Sequence, residues 1–266
     1  MSDRTLAVSP PTKSGSHWLQ WPFIGVFLGV CLAHAVSILW LAALPRYRRE
    51  RFAFRLCCDP WAWYSTKLFL RPKIRVVGQE NLPRAWNGYL YVSNHESLVD
   101  IVLLTKEVRR GFLMKRSVLV SPMGWGTYFS GSVAFDRSSK KERGWALRSA
   151  LEMAKRSMSI VAFPEGTFGH KDGRLREPHL NLLRYAYAAQ MPVVPLGHAG
   201  CRRAVDGQSL PVRRGAELVL VVRRAVDPAL FPDADRFAAA CWAEVVTAVT
   251  EARAHIAPGW PYERGP

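Results

Sequence analysis

A chain of 266 residues is long enough for one domain of about 200 residues with appendages. Its 37 Lys and Arg against 21 Asp and Glu give a formal charge of +16, which directs it toward anionic partners such as nucleic acid, an anionic membrane surface or phosphate-bearing substrates. The five cysteines, Cys31, Cys57, Cys58, Cys201 and Cys241, form neither an even framework nor spaced ligand pairs. That argues against a disulfide scaffold or a metal site such as zinc, and for reduced thiols in a cytosol.

In chain order, residues 1–17, with Pro10, Pro11, Ser14 and Gly15, read as a disordered tail. From Leu19 to Pro45 there is no charged side chain, and the 23-residue run "PFIGVFLGVCLAHAVSILWLAAL" lies within it; about 20 apolar residues cross a bilayer as a helix. Trp18 and Trp21 stand at one end and Trp40 and Tyr47 at the other, as interfacial aromatics do. Arg46, Arg48, Arg49, Arg51 and Arg55 follow at once, which puts the C-terminal bulk on the cytoplasmic side. The basic charge follows the run, and the run continues past "AHA". Segment 18–45 therefore reads as a retained transmembrane anchor helix rather than a cleaved signal. His34 near its middle keeps both a full crossing and a re-entrant helix open. Residues 46–72 mix Arg and Lys with Phe, Trp and Leu. They form an amphipathic segment that either lies in the headgroup region or packs its aromatics on the soluble core.

Beyond Arg71 the pattern changes. "KIRVVG" (73–78), "GYLYVSN" (88–94), "GSVAFDR" (131–137), "SIVAF" (159–163), "MPVVPLG" (191–197) and "AELVLVV" (216–222) read as strands. "DIVLL" begins a helix, Leu147, Leu151, Ala154 and Met158 mark one helical face in 141–158, and Asp233 to His255 closes the chain as a helix. Strands alternating with helices predict an α/β domain over 73–266, a largely parallel sheet covered by helices.

"SNHESLVDIVLL" (93–104) sets polar residues directly before an apolar run. On one continuous helix His95 and Asp100 would lie roughly 140° apart. With Ser97 as the N-cap, in a Ser-x-x-Asp start like a capping box, His95 falls in the preceding turn and can fold back onto Asp100. A carboxylate on one imidazole nitrogen makes the other a competent general base. Taken alone, the spacing also fits a capped helix with a polar loop histidine. "AFPEGT" (162–167) follows a strand and places Glu165, Gly166 and Thr167 in a turn whose backbone N–H groups suit an anion. It also fits a simple strand exit. Arg137 either clamps a phosphate or pairs with Asp136.

Together these blocks resemble the 1-acylglycerol-3-phosphate O-acyltransferase family of glycerolipid acyltransferases. "NHESLVD", "GSVAFDR", "FPEGT" and "MPVVPL" occur in the family order, and "VVGQENLP" (76–83) and "MKRSVLVSPMGWG" (114–126) also look like family sequence. The resemblance covers about residues 73–200. It implies transfer of an acyl group from a thioester to the hydroxyl of a lysolipid, with 1-acylglycerol-3-phosphate giving phosphatidate in phospholipid biosynthesis. His95 is then the base and Asp100 its partner, with Glu165, Gly166, Thr167, Lys115 and Arg137 binding the acceptor head. The apolar sequence after Arg110 would house the acyl chain.

No metal and no cofactor are implied beyond acyl-CoA or acyl carrier protein as donor substrate. The expected partners are a membrane lipid acceptor and the anionic cytoplasmic face of the inner membrane, with no nucleic acid. One departure bears on the acceptor. The family continues Glu-Gly-Thr-Arg, whereas Phe168 stands here. Either Lys171, Arg174 or Arg176 supplies the charge, or the acceptor is one without the usual glycerophosphate, such as lyso-ornithine lipid. A non-catalytic basic membrane adaptor is the alternative of another class, and the His95/Asp100 pair argues against it.

Overall fold

The computed structural model describes residues 46–120, 122–136, 139–206 and 212–256, together with Gly25 and Gly29. The expected tail lies outside the described residues, as does the expected anchor apart from those two glycines. Among the described residues no helix is long and apolar enough to cross a membrane.

Seven short strands, β1 (Lys73–Val77), β2 (Leu90–Ser93), β3 (Gly111–Lys115), β4 (Val133–Phe135), β5 (Ile160–Ala162), β6 (Val193–Ala199) and β7 (Glu217–Val222), form one sheet. Its order is β1-β7-β6-β2-β5-β3-β4. All neighbours pair parallel except β6 with β7. Every residue of β2, β5 and β6 is buried, as a parallel sheet covered on both faces requires.

The helices are α1 (Arg46–Ala53), α2 (Asp59–Tyr64), α3 (Val99–Glu107), α4 (Pro122–Phe129), α5 (Lys140–Arg156), α6 (Asn181–Ala188), α7 (Cys201–Ala204) and α8 (Ala234–Ala254). The period-2 alternation of strand side chains sorts the core into two layers. Leu90, Val92, Ile160, Ala162 and Val193 meet α5, α6 and α8 on one face. Tyr91, Val161, Val194 and Leu196 meet α3 and α7 on the other. The predicted α5 and α8 start where their caps allow. Ser139 Oγ accepts from Glu142 N at 3.1 Å, and Asp233 Oδ1 accepts from Arg236 N at 2.8 Å. Leu151 and Ala154 are buried as predicted, whereas Met158 lies past the end of α5 and packs with Phe54 and Cys58.

Two segments take a form the sequence did not specify. The stretch after Arg110, expected to house an acyl chain, is β3, with Phe112 and Met114 in the core and Leu113 lining a cavity. Segment 46–70 packs one set of apolar residues on the core, as one of its two readings had it, and leaves a second set exposed. The helix runs unbroken from α1 through a π-helical stretch (Phe54–Cys58), α2 and a second π-helical stretch (Ser65–Leu70). Phe54, Cys57, Cys58, Ala62, Thr66 and Leu70 are buried, while Phe52, Leu56, Trp63 and Leu68 are 39–52% exposed. Trp86 fastens the inner face, edge-on to Phe54 at 5.9 Å. The guanidinium groups of Arg55, Arg109 and Arg110 lie over its ring at 5.3–6.0 Å.

Candidate active site

Because β2, β3, β4, β5 and β6 point the same way, their carboxyl ends share one edge of the sheet, where α/β proteins place their ligands. β2 exits into Asn94 and His95, β5 into Phe163 to Thr167, and β3 ends on Lys115, which is exposed. Residues 70 positions apart are thereby brought into contact: His95 N donates to Glu165 Oε1 at 2.9 Å. Arg137 lies outside the described residues; β4 beside it ends at the same edge.

His95 does fold back onto the start of α3. Its Nδ1 donates to Asp100 Oδ2 at 2.7 Å. The same oxygen accepts Glu96 N at 2.6 Å and Ser97 N at 3.0 Å, and Ser97 Oγ accepts Val99 N at 3.1 Å. The reciprocal bonds expected of Ser97 and Asp100 are therefore present, the Ser97 hydroxyl reaching one residue short of a regular capping box, while the N-cap itself is Leu98, one residue later than expected. Burial pushes the Asp100 carboxyl up, but His198, the bond from His95 and the Ser97 N–H outweigh it, and the group lies below the ordinary aspartate range. Asp100 is fully buried and His95 keeps 15% of its side-chain surface. The buried anion fixes Nδ1 as the protonated nitrogen, leaving Nε2 to accept.

The strand exit at 163–167 is built around Glu165. Its second oxygen accepts Arg176 N at 2.7 Å, so the carboxylate ties the His95 turn to the loop that follows. Gly166 has φ of 69°, and a Cβ there would lie 3.2 Å from the His179 ring, so the turn takes glycine. Gly166, the exposed Thr167 and His179 rim a cavity of about 760 Å³, whose walls are Leu113, Phe135, Leu147 and Leu182. Glu165 and Phe163 also line it.

Three features of the site were not read from the sequence. Phe163 stacks on His95 with centroids 4.1 Å apart, and Phe168 tilts against the same ring at 4.5 Å. Of the cations left open, Arg176 docks on this loop, its Nε donating to the Phe168 carbonyl at 2.7 Å, whereas Arg174 turns to Asp172 at the surface. Behind Asp100 lies a layer of Glu96, His198 and Cys201, whose carboxylate, imidazole and thiol atoms fall within 4.8 Å of one another. That is a donor set of metal-ligating composition. Burial holds the Cys201 thiol well above its ordinary value, and the Asp100 and Glu96 carboxylates push the same way. The described cysteines, Cys57, Cys58, Cys201 and Cys241, are free and buried.

The mainly parallel sheet thus carries a His–Asp pair and a glycine turn at its carboxyl edge, and residues 73–199, which hold both, match the model of the Acyltransferase family. Over this stretch the chain is similar to 1-acyl-sn-glycerol-3-phosphate acyltransferases. Among its relatives, the chloroplastic 1-acyl-sn-glycerol-3-phosphate acyltransferase of Brassica napus is 28% identical, over 74% of this chain and 59% of its own length. That of Arabidopsis thaliana is 29% identical, over 76% and 58%. The chain thus spans about three fifths of the length of these curated relatives. In fold it is similar to the crystal structure of PlsC, the 1-acyl-sn-glycerophosphate acyltransferase of Thermotoga maritima. The TM-score is 0.72 at 23% identity, covering 90% of this chain and 96% of that one.

Proposed function

We propose that this protein transfers a fatty acyl group from acyl-CoA or acyl carrier protein to the free hydroxyl of 1-acylglycerol-3-phosphate, forming phosphatidate. The observation that carries the reading is the 2.7 Å bond between His95 and a fully buried Asp100, with part of the His95 side chain still exposed. His95 Nε2 takes the hydroxyl proton as the lipid oxygen bonds to the thioester carbonyl carbon. Collapse of the tetrahedral intermediate breaks the C–S bond, and the imidazolium returns the proton to the leaving thiolate. Base catalysis of this kind contributes about 10²–10⁴-fold, and the flanking Phe163 and Phe168 rings add positioning. The relatives' names support the glycerophosphate acceptor.

Gly166 and Thr167, with Lys115 and Arg137, bind the acceptor's polar head, and Glu165 holds their turn against His95. The apolar walls of the adjoining cavity take an acyl chain. The reaction calls on no cofactor, since the thioester supplies the activation.

The exposed face of 46–70, where Phe52, Leu56, Trp63 and Leu68 stand among Arg51, Arg55 and Lys67, rests on the anionic cytoplasmic leaflet of the inner membrane. The anchor at 18–45 tethers it there. A soluble anionic donor and a lipid that stays in the bilayer then meet at the edge of the sheet.

The test is an acyl-transfer assay on detergent-solubilised protein, offering lysophosphatidate and lyso-ornithine lipid side by side with each donor. Lysophosphatidate is turned over, and His95→Ala lowers the rate by about 10² or more. Turnover restricted to the phosphate-free lipid, or retained by the alanine variant, overturns the reading.

A further inference from the structure

His198 takes no part in the chemistry above, yet it is fully buried against its centre. Parallel pairing puts Ser93 of β2 opposite Leu196 of β6, so two residues further on His198 comes alongside the turn that carries His95. The Asn94 side chain binds both backbone groups of His198, donating to its carbonyl at 3.0 Å and accepting its N–H at 2.9 Å. The His198 ring answers with Nε2 at 2.9 Å from the Asn94 carbonyl. A carbonyl only accepts, so Nε2 carries the hydrogen. That same nitrogen lies 3.6 Å from Asp100 Oδ2, the oxygen that accepts from His95.

We infer that His198 is a positioning residue for the His95–Asp100 pair, locking the Asn94 turn and drawing part of the Asp100 charge away from His95. This rests on the proposed acyl transfer. The titratable and charged groups around His198 fit the role. Asp100 faces it from α3, Glu96 from the β2 exit and Cys201 from α7, while His95 shares the Asp100 oxygen and Arg202 of α7 and Arg253 of α8 act on Glu96. Burial raises the Glu96 carboxyl, with His198 and Arg253 opposing. A metal on Glu96, His198 and Cys201 would require the Cys201 thiolate, which burial and two carboxylates disfavour.

With the His198 N–H gone, more of the Asp100 field falls on His95 and the imidazolium is held more tightly. In His198→Leu the acid limb of the kcat/KM profile therefore moves up by about one pH unit, and kcat falls about tenfold with KM little changed. His198→Gln, whose amide restores a donor near Nε2, recovers most of both. The titration of the His95 ring, followed by NMR in protein labelled at histidine, moves in parallel. That readout needs no acceptor, so it decides the inference even where the assay finds no substrate and the acyl-transfer reading itself fails.

A folded Leu variant whose acid limb and His95 titration match the wild type overturns the proposal. So does a Gln variant as impaired as Leu. If Leu does not fold, His198→Asn, which withdraws the donor but keeps an amide, is read in the same way. Failure of all three variants to fold assigns His198 to the fold alone and overturns the positioning role. A stoichiometric metal that leaves with the His198 substitutions also overturns it.

Discussion

Replacing Asp100 with Asn alters one atom of a side chain that is fully buried, and the structure says what survives. The amide oxygen can take the place of Oδ2 and accept the N–H groups of Glu96 and Ser97, now at 2.6 and 3.0 Å. Its NH₂ group then occupies the place of Oδ1, which has no hydrogen-bond partner among the described residues. The turn is kept and the charge is lost. At 2.7 Å and an effective dielectric of about 20, Asp100 and a His95 imidazolium attract by about 6 kcal/mol, a ceiling on the effect. The floor is the difference between a charge-assisted and a neutral hydrogen bond, about 1 kcal/mol. At about 1.36 kcal/mol per factor of ten, the rate falls by between roughly 5-fold and 10⁴-fold, with about 10² to 10³ expected. The assay is kcat on lysophosphatidate at pH 7.5, with thermal melts confirming folding. An Asn variant that melts like the wild type and turns over within about threefold of it would refute the argument that Asp100 acts on His95 through its charge.

Other outcomes follow from the packing. The Asp100 carboxyl lies below its ordinary range, so its contribution to stability is complete above about pH 4 and is lost as the pH falls through its folded value. The stability difference between wild type and Asp100→Asn therefore shrinks in acid melts. Glu96 has the opposite sign. Its carboxyl is raised by burial, so the wild type loses stability relative to Glu96→Gln as the pH rises past about 4.5, which melts from pH 4.5 to 8 record. A Cβ at Gly197 would lie 2.3 Å from the backbone of Ala248 and Val249. Gly197→Ala must push α8 off β6, costing about 1–3 kcal/mol, seen as a fall of several degrees in Tm. Arg176→Ala keeps the backbone N–H on Glu165 but removes the side-chain bond to the Phe168 carbonyl, and lowers kcat/KM about tenfold. Arg174→Ala, which removes only a surface pair with Asp172, leaves it within about twofold.

Much of this protein could be read from local pattern. β-branched and aromatic runs between turn residues marked six of the seven strands, and helical periodicity marked α5 and α8. Five residues of sequence brought His95 within reach of Asp100, because that contact needs only a turn and the first turn of a helix. β3 ran from a stretch read as acyl-chain lining into the start of a motif block, and was not read as a strand. α6, with Leu182, Leu183 and Ala186 buried on one face, was short enough for its signal to be passed over. What the sequence by itself determined, then, is most of the strands, the two long helices, the His–Asp pair and the family they resemble. Only the tertiary structure decided that β7 runs against β6, that segment 46–70 shows an apolar face to each side, and that His198 stands behind Asp100. The last of these depends on pairing strands whose ends, Asn94 and His198, stand 104 positions apart. Such pairing is set by burying both faces of one sheet at once, a condition no local window of sequence contains.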